Sequence, residues 1–132
     1  MAGLHRPPDH SKGDANTIGG YAAVHERPAA FEGPDGMSYS VELLTDETGD
    51  PARPYGGYLF YVRWRRYGEP GVDGHLETPF LRYGATPDEA LAGVRALPLQ
   101  EVRALLHELV AEEQRRSGGA RRRWWDAMRE EE

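Results

Sequence analysis

The 132-residue chain contains no cysteine, one lysine (Lys12) and no apolar run long enough to cross a membrane. Without cysteine there is no disulfide, no thiolate nucleophile and no Cys-ligated zinc. A spanning helix needs roughly 18 to 20 consecutive apolar residues, and the first residues lack the apolar stretch of a secretory signal. These absences set the expectation of a soluble, cytoplasmic protein. Basic residues are also few, 16 against 22 acidic, for a net charge of -6. That balance disfavours a domain whose main task is binding nucleic acid, since neutralising phosphates needs a basic surface. Fifteen of the 16 basic residues are arginine, a bias that codon composition explains better than recognition chemistry does.

Catalytic spacings are missing as well. His75 and Glu77 share a strand face, but no HxH or HExxH spacing supplies further metal donors. Asp46, Glu47 and Asp50 fall in one loop without the regular acid series of an EF-hand, and read as a solvated acidic loop. His107 sits beside Arg103 on the outer side of a helix, and His5, His10 and His25 lie in the N-terminal segment without fixed geometry. Ser11, Ser38, Ser40 and Ser117 have no nucleophile elbow around them. Tyr55-Gly56-Gly57-Tyr58 lacks both the lysine and the following helix start of a phosphate loop. The expectation is a protein with no catalytic residues, no metal and no cofactor.

What the chain does contain is one domain's worth of pattern. Residues 1–30 hold Gly3, Pro7, Pro8, Gly13, Gly19, Gly20 and Pro28 without sustained period, which predicts an extended or disordered arm. Pro34-Asp35-Gly36 is turn chemistry, and Tyr39, Val41 and Leu43 then alternate with polar neighbours as a half-buried strand does. Tyr58 to Arg66 is the strongest strand signal. Its alternation assigns Tyr58, Phe60, Val62 and Trp64 to the core, and Leu59, Tyr61, Arg63 and Arg65 to the opposite face. A third strand is expected over His75 to Tyr83, with Pro79 marking an edge or bulge because it lacks a ladder donor.

Helix signals follow. Thr86-Pro87-Asp88-Glu89 combines a cap, a first-turn proline and a capping-box acid. Pro98 predicts a break near Leu97 and a fresh helix, whose Leu99, Val102, Leu105, Leu106, Leu109 and Val110 form a wide apolar stripe. Glu112 and Arg116 form an i, i+4 pair on its outside, and Gly118-Gly119 is expected to close it. The remaining residues, with Arg121 to Arg123 first and Glu130 to Glu132 last, predict a short helix whose charges oppose its dipole. Such a helix needs a docking surface for Trp124, Trp125 and Met128.

The order of strand, acidic loop, Gly56-Gly57-Tyr58-Leu59-Phe60-Tyr61-Val62, a further strand and Gly84-Ala85-Thr86-Pro87-Asp88-Glu89-Ala90-Leu91 resembles the HicB antitoxin family. The resemblance covers about residues 38–96. It implies a partial ribonuclease-H-like sheet with a helix across it, without catalytic acids, in a protein that blocks a small RNA-cleaving toxin and often dimerises. The Pro-Gly-Cys-like turn of that family is absent, Pro98 breaks the helix early, and no DNA-binding unit follows, so autoregulation of transcription is not implied.

The fold expectation is therefore α+β: a three-stranded antiparallel sheet packed by C-terminal helices, with an extended N-terminal arm. The boundaries are 1–30 for the arm, 31–117 for the domain and 118–132 for the terminal helix. The function expectation is a non-catalytic protein-interaction module, a HicB-like inhibitor or an accessory subunit, acting as a homodimer or within a larger complex. Its partner-binding residues are Leu59, Tyr61, Arg63, Arg65, Trp124, Trp125 and Met128. The alternative is RNA binding through the arginine and aromatic strip Tyr61 to Arg66, joined by Arg121 to Trp125.

Overall fold

The computed structural model describes residues 7–65 and 71–130, with side chains up to residue 117. The fold is α+β, with helices on one side of an antiparallel sheet. The strands are β1 (Ala30–Glu32), β2 (Ser38–Glu47), β3 (Tyr55–Trp64), β4 (Val72–Glu77) and β5 (Arg82–Gly84). The sheet order is β1-β2-β3-β4, with β5 pairing the other end of β3. The sheet thus has five strands where the sequence suggested three.

The two extra strands have local causes. The Gly33 to Met37 segment closes a hairpin, Gly33 N–H donating to Met37 O and Met37 N–H to Asp35 Oδ1, which brings Ala30 to Glu32 alongside β2. Gly36 takes φ 77° there, a conformation glycine adopts without strain. The expected third strand is divided at Thr78 to Leu81, where Pro79 has no N–H to contribute. Both halves stay on β3: Thr78 N–H donates to Leu59 O at 3.0 Å, Leu59 N–H to Thr78 Oγ1 at 3.0 Å, and Leu81 N–H to Gly57 O at 2.8 Å.

The N-terminal residues from 7 onward are folded onto this body rather than extended. A 3-10 turn (His10–Lys12) precedes α1 (Ile18–His25), which Thr17 caps by accepting Gly20 N–H at 3.0 Å. Ile18 and Val24 are buried. The segment is stitched to the Pro98 break: Ile18 N–H donates to Leu97 O at 2.9 Å and Leu99 N–H to Asn16 O at 2.8 Å. Period analysis misses this helix because the eight residues IGGYAAVH are small or apolar all round and show no polar face.

α2 (Pro87–Arg95) and α3 (Leu99–Glu130) complete the covering layer. Thr86 Oγ1 accepts Glu89 N–H at 3.2 Å, while Glu89 Oε2 accepts the N–H of Ala85 at 2.8 Å, one residue earlier than a standard capping box. The break at Leu97 and Pro98 stands where the proline requires it. Val102, Leu106 and Val110 are fully buried, with Leu99, Leu105 and Leu109 packed beside them. Gly118-Gly119 do not end α3, which runs on unbroken to Glu130. A helix stop needs the left-handed cap conformation, and the backbone stays helical through both glycines. The separate terminal helix is therefore the continuation of α3.

Candidate functional site

The sheet's two faces differ sharply. On the helix side, β2 and β3 place Tyr39, Val41, Leu59 and Tyr61 in the core, with Leu59 and Tyr61 at 0% exposure. This reverses the face assignment made from alternation, which set Leu59 and Tyr61 outward for a partner. They belong to the interior, and Tyr58, Phe60, Val62 and Trp64 form the outer face.

Three contacts explain the choice. Gly57 lies directly under α2: a Cβ there would stand 2.9 Å from Ala90 O and collide with the Val94 side chain, so the helix can approach only the face that Gly57 shares with Leu59 and Tyr61. The Tyr61 hydroxyl, though buried, donates to Val102 O at 2.7 Å, and burial raises its pKa well above the usual phenol value. Arg63 also points to the helix side, where carboxylates meet it. Its guanidinium pairs with Glu113 at 2.7 Å and reaches Asp73 at 3.7 Å and Asp35 at 4.0 Å. It also donates to the Tyr39 hydroxyl at 3.3 Å, which in turn donates to Asp35 at 2.6 Å. The bond to Glu113 raises the Arg63 pKa further above its ordinary range. Burial, and then the bond to Asp35, pushes the Tyr39 hydroxyl up to about 12.

The outer face is built from the alternate residues. Register sets Glu42 opposite Phe60 and Phe60 opposite Glu77, Leu44 opposite Tyr58, and Val62 opposite His75. Phe60 stacks on His75 with ring centroids 4.8 Å apart, and Tyr58 meets Phe80 edge-on at 5.9 Å. Phe80 and Tyr83 stand 6.0 Å apart, and the Arg53 guanidinium rides over Tyr83 at 4.2 Å. Gly56 makes room for this arrangement, because a Cβ there would stand 2.8 Å from Phe80 Cε1. Trp64 Nε1 donates to Ser40 Oγ at 2.9 Å, yet the residue remains 42% exposed. Tyr83 and Val72 are exposed too, and Tyr58, Phe60 and Val62 are half-buried. Among the described residues of this face in β2 and β3, only Gly56 is buried. Both faces of β3 are therefore rich in rings and branched side chains, and among the described residues only one is packed under helices.

The other sequence-selected residues are dispersed. Arg65 is exposed just past the end of β3, its N–H donating to Gly71 O at 3.2 Å. Trp124, Trp125 and Met128 lie on the helical backbone of α3, but their side chains fall outside the described residues, as do those of Arg121 to Arg123 and the whole of Arg66. His75 is occupied by its stack on Phe60, and His107 is exposed. Among the described residues no three His, Asp or Glu side chains gather where they could hold a metal ion, and no helix is long and apolar enough to cross a membrane. Sequence reading missed Phe80 and Tyr83 as members of the aromatic face. The Phe80 signal was Gly56, a glycine inside a strand, which marks a close approach. No family model, curated protein or solved structure matches this chain.

Proposed function

We propose that the protein is a non-catalytic interaction module that docks a protein partner on the outer face of its sheet. One observation carries this reading: Tyr58, Phe60, Val62 and Trp64 run along the central strand with Phe80 and Tyr83 beside them, and among the described residues each of these side chains stays at least partly exposed. Rings of this kind dominate the energy of protein interfaces, where they bury apolar area at small entropic cost. β3 is ten residues long, about 33 Å at ~3.3 Å per residue, and with its two neighbours the face is on the order of 450 Å2. That is the scale of a functional patch on a single domain, and suits an interface centred on a few anchors rather than a fully obligate one. The HicB-like inhibitor of an RNA-cleaving toxin is one form such a module takes, and an accessory subunit of a larger assembly is the other.

The experiment compares capture by the wild-type protein with capture by a Phe60→Ser, Trp64→Ser double variant, with folding verified by circular dichroism. A partner that binds the wild type and is lost with the folded double variant supports docking through this face. Unchanged binding by the variant refutes it.

A further inference from the structure

We infer that the partner segment received by this face presents an arginine, seated over the rings of Tyr58 and Phe80 in a concavity that Asp46 and Glu77 also line. The inference rests on the docking reading and names the chemistry of its ligand. Asp46, Tyr58, Glu77, Thr78, Pro79 and Phe80 line an open concavity of about 300 Å3 on the outer face. Its walls are set by the fold: Tyr58 and Phe80 are held edge-to-face at 5.9 Å, and the missing Cβ at Gly56 lets the Phe80 ring lie against the sheet. Carboxylates flank the rings from both sides. Glu42 and Glu77 stand opposite Phe60 on the two neighbouring strands, and Asp46 stands opposite Gly56.

Charge complementarity selects the occupant. The outward positions of β2, β3 and β4 carry Glu42, Asp46 and Glu77 and no lysine or arginine. In a face-to-face pair of copies these acids would repel one another, so a second copy in that arrangement is disfavoured. A guanidinium meets both features of the site. It stacks on aromatic faces and pairs with carboxylates through a planar fork, which an ammonium cannot do. The same sheet face already shows this chemistry once, beside the concavity, where Arg53 lies over the Tyr83 ring at 4.2 Å and 3.5 Å from the Asp50 carboxylate, Tyr83 standing 6.0 Å from Phe80.

The test uses the full chain, isotopically labelled, titrated with N-acetyl-arginine amide and with its uncharged citrulline counterpart. Saturable shifts at Tyr58, Phe80, Asp46 and Glu77 are expected with the arginine probe. Citrulline, and an Asp46→Asn, Glu77→Gln double variant titrated with arginine, are expected to bind at least tenfold more weakly; both substitutions are exposed, and folding is checked from the unshifted core resonances. Shifts spread over every surface acid, including Glu108 and Glu112, or equal binding of citrulline, overturn the inference. Capture of the partner is measured in parallel. Loss of capture in Phe60→Ser, Trp64→Ser but retention in Asp46→Asn, Glu77→Gln sinks the arginine seat and leaves the docking face standing. Retention in both sinks the docking reading together with it.

Discussion

Replacing two adjacent residues of β3 separately measures which face holds the fold together. Leu59 is fully buried in the core cluster beside Tyr61, Val94 and Val102. Its replacement by alanine removes buried methyl groups and leaves a cavity that Tyr61 and α2 cannot close, at a cost of about 2–5 kcal/mol. Phe60 is one position along, half-exposed, and its ring touches mainly His75 on the outer face. Its replacement by alanine forfeits only a partial burial and one stacked pair, about 1 kcal/mol at ~25 cal/mol per Å2. Urea unfolding followed by circular dichroism resolves the two. With a slope of about 2 kcal/mol/M, the Leu59→Ala midpoint is expected to fall by 1 M or more and the Phe60→Ala midpoint by about 0.5 M. A Phe60→Ala loss equal to or larger than that of Leu59→Ala refutes the assignment of the faces, and with it the docking argument.

Three further outcomes follow from the same contacts. Tyr61→Phe, which removes only the hydroxyl donated to Val102 O, is expected to cost about 1 kcal/mol in the same assay, whereas Tyr61→Ala costs about 3–5 kcal/mol through its cavity. Gly57→Ala puts a Cβ into Ala90 O and Val94, and is expected to cost about 1–3 kcal/mol as α2 is pushed off the sheet; no change in midpoint counts against the close approach. Alkaline pH should unfold the protein for a defined reason. The neutral phenols of Tyr39, pushed up to about 12, and of Tyr61, raised further, are favoured by the fold over the unfolded chain, whose tyrosines ionise near 10. Their contribution is complete below pH ~10 and is lost as pH rises through the folded values. Circular dichroism between pH 9 and 12.5 should therefore show a base-induced transition that the Tyr39→Phe, Tyr61→Phe double variant flattens; an unaltered transition refutes the linkage.

Much of the fold was legible because local chemistry and tertiary structure agree there. Thr86-Pro87 starts a helix, Pro98 ends one, and the Leu99 to Val110 stripe faces the sheet. The α1 helix was not legible, since its residues offer no polar face and its place is set by the backbone bonds of Ile18 N–H to Leu97 O and of Leu99 N–H to Asn16 O, which join segments some 80 residues apart in the chain. Neither was the length of α3, because two glycines weaken a helix by only about 1 kcal/mol each and do not by themselves stop it. Arg63 shows the limit most clearly. A charged residue at an inward strand position reads as solvent-facing unless its partners are known, and here they come from Asp35, Asp73 and Glu113, on three separate segments.

The reversed face of β3 is itself informative about function. Judged by composition alone, Tyr58, Phe60, Val62 and Trp64 make a more apolar row than Leu59, Tyr61, Arg63 and Arg65. A chain selected only to fold alone would bury the first row. This one turns Leu59, Tyr61 and Arg63 toward the helices, and accommodates the polar groups there one by one: the Tyr61 hydroxyl on Val102 O, the Arg63 guanidinium among carboxylates, and no side chain at Gly57 where α2 must come close. Burying polar groups is tolerated when each finds a partner, so the arrangement is stable, but it leaves the more adhesive surface in water. The residues that decide the matter are Gly57 on one face and Gly56 on the other. Gly57 fixes where the helix lies, and Gly56 lets Phe80 settle among the outward rings. A glycine pair at the start of a strand thus separates the face packed under the helices from the face turned away from them, and the position of the helix-contacting glycine, rather than the apolar alternation, tells which is which.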